Sequence, residues 1–299
     1  MLGIRSAGDF YLECRRLVLA PLLIAVVMAN LAGCSIYVSS ASERFSRNLS
    51  SAILNQKDPE TVKQGMPAYL LLVDSMIEGD PQNASLLFSG SRLYSSYAGV
   101  FVDDGSRSRN LSQKAWDLAV RGLCSHRKGY CQLHQMPYDN FEKNLDSATV
   151  ADVESLYSYS VAWLGWIQAH SDDVGATSDL PKVTAIMEHI VKFEDSYDRG
   201  MVHLYLGVLS SLLPPALGGK PEVGRAHFEK AISLSKEKNL MAKVLYAERY
   251  ARLVFDQDLH DRLLRSVLEL DPEAPGFTLM NVVAKEKAQE LLKSGKTYF

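Results

Sequence analysis

The chain has 299 residues, of which 47% are hydrophobic and 22% charged, with 32 Lys and Arg against 35 Asp and Glu and a net charge of −3. That balance provides no basic field for nucleic acid, and the apolar fraction is ample for a packed core. No run reaches the roughly 20 apolar residues that a permanent membrane-spanning helix needs.

The first element is a targeting segment. Arg15 and Arg16 precede an apolar stretch from Leu17 to Leu31, about 15 residues long and interrupted by Pro21 and Asn30, which suits a cleaved signal better than a retained helix. Leu31-Ala32-Gly33-Cys34 closes it as a lipobox, with small residues before the bond to be cut and a thiol to carry the lipid. Residues 1–33 are thus expected to be a lipoprotein signal peptide and Cys34 the lipidation site; two or three acyl chains anchor stably where one does not. Ser35, rather than Asp, follows the cysteine, as in Gram-negative lipoproteins sent to the outer membrane, so the folded part is expected to face the periplasm. Residues 34–58 are Ser-rich and weakly patterned, which suits a lipidated tether, and Asp58-Pro59-Glu60 opens the first firm helix of a domain over 59–299.

Beyond that point apolar residues recur at intervals of three and four, which predicts an all-α protein. Asp80-Pro81, Asp179-Leu180-Pro181, Gly218-Gly219-Lys220-Pro221 and Asp271-Pro272 punctuate the helices. Small and aromatic residues fall in a tetratricopeptide-like order at Ala68, Leu72 and Ser75, at Ala115, Ala119 and Gly122, at Gly224, Phe228 and Ala231, and at Ala247, Tyr250, Leu259, Leu263 and Ser266. This order favours a degenerate helical-repeat array, an α-solenoid, over a plain bundle, because one helix pair cannot bury its apolar face without neighbours. Asp103-Asp104-Gly105-Ser106-Arg107-Ser108-Arg109 reads as a polar turn enlarging one repeat, and Pro214 to Pro221 as a second insertion.

Cys124 and Cys131 are the thiols left to the folded domain, and in an oxidising compartment they are expected to pair. With His126 and His134 they also form C-x-H-x4-C-x2-H, a ligand set that zinc accepts, although the spacing matches no common finger. Nucleophile elbows, zinc-protease helices and phosphate-cradling glycine loops do not occur, so no cofactor and no enzymatic activity are expected. Aromatic stripes at Tyr159, Trp163, Trp166 and His170, and at Tyr94, Tyr97 and Phe101, suit either a core or a concave binding face, where a ring stacks on an apolar ligand.

Asp58-Pro59-Glu60, Gly65 to Leu72, Tyr94-Ser95-Ser96-Tyr97-Ala98, Trp163, Tyr197 to His203, Leu217 to Glu222, Glu248 to Arg252 and Leu268 to Pro272 together resemble the T components of TRAP-associated tetratricopeptide transporters, the TatT lipoproteins. The resemblance implies a lipid-anchored scaffold that associates with the periplasmic solute-binding protein of a TRAP transporter, can form a homotrimer, and holds or passes a small hydrophobic ligand. It carries the ligand-binding role onto Tyr94, Tyr97, Trp163 and His203. The alternative from the residues alone is an envelope-assembly scaffold that holds an extended peptide on its concave face.

Overall fold

The computed structural model describes residues 48–299, so the signal peptide, Cys34 and most of the tether lie outside the described residues. The described residues fall into two units, 48–53 belonging to the first and Leu54–Phe299 forming the second. In the first, the described residues are helical; the second carries the domain.

Its first three helices begin where short polar side chains satisfy the free amides of a first turn. Asp58 accepts from the amides of Glu60 and Thr61 to start α1 (Pro59–Gly79), with proline at a position whose missing N–H costs nothing. Asn83 caps α2 (Ala84–Phe101) and Asp104 caps α3 (Gly105–His126). Then follow α4 (Tyr138–Leu145), α5 (Val153–Ala169), α6 (Leu180–Phe193), α7 (Met201–Ser210) and α8 (Pro221–Leu234). The helix α9 (Leu240–Leu245) runs into a π-turn at Tyr246–Ala251, and α10 (Gln257–Glu269) and α11 (Thr278–Tyr298) complete the order. Among the described residues there is no strand, and no helix is long and apolar enough to cross a membrane.

Sequence neighbours pair: α2 with α3, α5 with α6, α7 with α8, and the π-turn with α10. Each pair also touches the next, through α3 with α5, α6 with α7, and α8 with α9. Of the small residues read from the sequence, Ala115, Ala119, Gly122, Gly224, Ala231 and Ala247 are buried between the paired helices, whereas Ala68, Leu72 and Ser75 lie exposed on α1, so the first copy of the pattern is not a helix crossing. A Cβ on Gly207 of α7 would lie 2.9 Å from the Phe228 ring of α8, so glycine is what lets the two helices approach. The ends of the domain meet as well: α11 touches α1, Lys57 pairs with Glu273, and the Gly276 amide donates to Asn55 at 2.8 Å.

Two readings are corrected. Asp103 to Arg109 is not an enlarged turn, because Asp104 accepts from the Arg107 amide at 2.7 Å and Gly105–Arg109 form the first turns of α3. The glycine and serines that signal a loop are overridden by that cap and by the long helix behind it. The zinc arrangement is not what the structure holds. Cys124 and Cys131 are bonded to each other, and His126 Nε2 lies 2.9 Å from Asp152 Oδ1.

Candidate functional site

The four residues nominated as ligand contacts go to different places. Trp163 is 1% exposed, stacks on Trp116 with centroids 5.1 Å apart and meets Tyr159 edge-on at 5.5 Å, all within one apolar core cluster. It is a core residue. Tyr94, buried between α1 and α3, donates to Asp74 Oδ2 at 2.7 Å, and Lys114 lies 3.4 Å from the other carboxylate oxygen. Burial, then Asp74, pushes the Tyr94 hydroxyl up from its ordinary value. Tyr97 is also buried and accepts from Arg107, whose guanidinium covers its ring at 5.5 Å. His203 is buried with both ring nitrogens engaged, Nε2 on Asp195 at 3.0 Å and Nδ1 on His227 at 2.8 Å, so it offers no polar atom to a ligand.

A different cluster assembles where α2, α5 and α7 converge on the turn Tyr197–Gly200. Its backbone is unusual: Asp198 and Arg199 have φ of 46° and 54°, and Gly200 has φ of 90°. Left-handed backbone at a non-glycine residue costs on the order of 1–3 kcal/mol and survives only where the surroundings over-determine it. Here they do. Asp198 Oδ2 accepts from the Tyr157 hydroxyl at 3.0 Å. Arg199 donates to the Pro275 carbonyl at 3.0 Å while its guanidinium rests on the Phe277 ring, 3.9 Å from the centroid. Gly200 fits against α8 so closely that a Cβ would stand 2.9 Å from Leu234 Cβ.

The consequence is a half-buried wall of three phenols bordered by charge. Tyr157 meets Tyr197 edge-on at 5.1 Å and Tyr205 at 6.3 Å. On the α2 side Arg92 donates to Ser158 at 3.0 Å and lies 3.6 Å from Glu154. Burial raises the Tyr157 hydroxyl well above its ordinary range, and burial first brings Tyr197 and Tyr205 to about 12. Burial also raises the Asp198 carboxyl, against the opposing hydrogen bond from Tyr157 and the charges of Arg199 and Arg92. Phenols kept neutral by burial give flat apolar faces with polar tips, and the Asp198 carboxyl and the Arg92 guanidinium give hydrogen-bonding groups at the edge. Such a wall can hold an apolar body and orient one polar group. It carries no nucleophile beside a base.

The motif Tyr197 to His203 was visible only through resemblance. Its chemistry was not, because Gly200 alone signals a left-handed turn and nothing in the sequence places Tyr157 opposite Asp198. A second concavity, about 170 Å³, lies where α1 meets α11, lined by Pro59, Glu60, Lys63, Phe101, Asp103 and Glu286 among others.

Fold and site together define an all-α protein of paired helices that carries a half-buried cluster of phenols. The family model of the TRAP transporter T-component matches residues 55–299, and the chain belongs to that family. It is a transport-associated, non-enzymatic family, tied to TRAP transporters. An uncharacterized protein of Treponema pallidum (strain Nichols) is 20% identical over 256 residues, covering 80% of this chain and 79% of that one.

Proposed function

We propose that the protein is a scaffold lipoprotein, held through Cys34 on the periplasmic face of the outer membrane, that associates with the solute-binding receptor of a TRAP transporter. Its wall of Tyr157, Tyr197 and Tyr205, edged by Asp198, takes the apolar body of a small ligand that the receptor delivers or receives. The observation that carries this is the strained turn at Asp198–Gly200, since strain of this kind collects at ligand clamps and switch regions. Family membership supports the transporter half of the reading. Tyr94, Tyr97 and Trp163 then act as packing residues, in keeping with their burial.

The test is capture of periplasmic partners on the full-length lipoprotein and on its Tyr157→Ala and Asp198→Asn variants, with bound small molecules identified by mass spectrometry. Receptor bound by the wild type, and ligand lost in both variants while the fold persists, supports the reading. Ligand retained by both variants moves the site elsewhere, and assembly-machine proteins in place of a receptor favour the envelope-scaffold alternative.

A further inference from the structure

The strained turn is bracketed by a second device. Asp195, three residues before Asp198, accepts at 3.0 Å from Nε2 of His203, three residues after Gly200, so one hydrogen bond closes the loop that carries the turn. The other nitrogen of His203 faces Nδ1 of His227, on the neighbouring helix α8, at 2.8 Å. Two ring nitrogens this close require one N–H and one lone pair between them. With Nε2 of His203 donating to Asp195, the neutral pair has His227 donating to His203. One added proton is accommodated: His203 becomes doubly protonated, still donates to Asp195, and gives its Nδ1–H to the lone pair of a re-tautomerised His227. A second proton places two N–H bonds head to head and two positive rings with centroids 5.1 Å apart.

We infer that His203 is a positioning residue for the Tyr157–Asp198 site, and that its pairing with His227 makes the hold on the 195–203 loop proton-sensitive, intact with one added proton and released by the second. Burial, then His203, holds back the imidazolium of His227, in keeping with a pair that resists full charging. Charged and titratable groups come toward the pair from several neighbouring elements. The segment after α6 supplies Asp195, which Lys230 of α8 also holds at 2.6 Å. On α6 itself Lys192 acts on His189. Tyr246 and Tyr250 of the π-turn give their hydroxyls to Glu229 and Glu222, which helical spacing puts on the side of α8 away from His227. In the turn, Asp198 and Arg199 are taken by Tyr157 and by Pro275 with Phe277.

Release matters for ligand only if the Tyr157–Asp198 wall is the functional face, so the test separates the two. Imidazole NMR of the full-length protein, titrated from about pH 8 to about pH 4.5, is expected to show the histidine pair taking up its two protons in separate macroscopic steps. Amide exchange of the 195–203 segment, corrected for intrinsic rate, is expected to rise about tenfold or more across the lower step. In His227→Gln the amide can either donate to or accept from Nδ1 of His203, and the acid rise is expected to vanish. Coincident titration of the two rings, an exchange rate that does not change with pH, or an equal rise in His227→Gln overturns the inference. The NMR arm needs no variant. If the loop opens as described while ligand and receptor capture stay constant with pH, the catch stands and the proposed binding face fails.

Discussion

Replacing Gly200 with alanine tests the geometry on which the site depends. Two costs are read from the structure. The residue sits at φ 90°, where a Cβ adds roughly 1–2 kcal/mol of backbone strain. The same Cβ would stand 2.9 Å from Leu234 Cβ and 3.2 Å from both Cα and O of Ala231, groups of a packed helix that cannot swing aside, for an overpacking cost of about 1–3 kcal/mol. The expected destabilisation is therefore about 2–5 kcal/mol, which in a domain of this size lowers Tm on the order of 5–15 °C. Gly165 of α5 is the control, since a Cβ there meets nothing within 4 Å and alanine should stabilise by about 0.5–1 kcal/mol. The assay is thermal and denaturant unfolding of the two variants beside the wild type, followed by circular dichroism. A Gly200→Ala protein as stable as Gly165→Ala would refute the left-handed, close-packed turn and the clamp built on it.

Trp163→Ala should lose about 3–5 kcal/mol in denaturant titrations, the cost of a large buried ring; a stable variant with impaired ligand binding would instead return Trp163 to the binding face. The raised carboxyl of Asp198 disfavours charge in the fold, so its contribution is fully present below the ordinary carboxylate value and fades as pH rises through the folded one. Asp198→Asn should accordingly gain stability relative to wild type across that rise, and a difference independent of pH would contradict the burial argument. Loss of the Cys124–Cys131 link in a double serine variant should cost about 2–3 kcal/mol, the entropy of its short loop, and mass spectrometry without reductant should find the two joined; free thiols would remove the link. Cys34→Ala should move the protein out of the membrane fraction or leave it unprocessed, and unchanged partitioning would end the lipoprotein reading.

The helical class, the start at Asp58-Pro59 and the close crossings at Gly122 and Gly224 were all legible, because caps and small residues act through local chemistry and spacing. The loop reading of Asp103 to Arg109 failed because serine and glycine weigh equally as breakers and as a capped first turn. Trp163 shows a different limit, since helical periodicity names a stripe without saying whether protein or solvent covers it. The site itself was hidden. Tyr157 lies beside the aromatic stripe, and its partner Asp198 reaches it only through left-handed backbone that Arg199 and Gly200 fix against Pro275 and Leu234, distant in the chain. Such long-range constraints leave no local pattern.

The most direct measurement is native mass spectrometry of the full-length lipoprotein isolated from the envelope with its partners, without cross-linker. A complex with a TRAP solute-binding receptor is the predicted result. Assembly-machine proteins or extended peptides in its place, with no receptor, would contradict the transporter role.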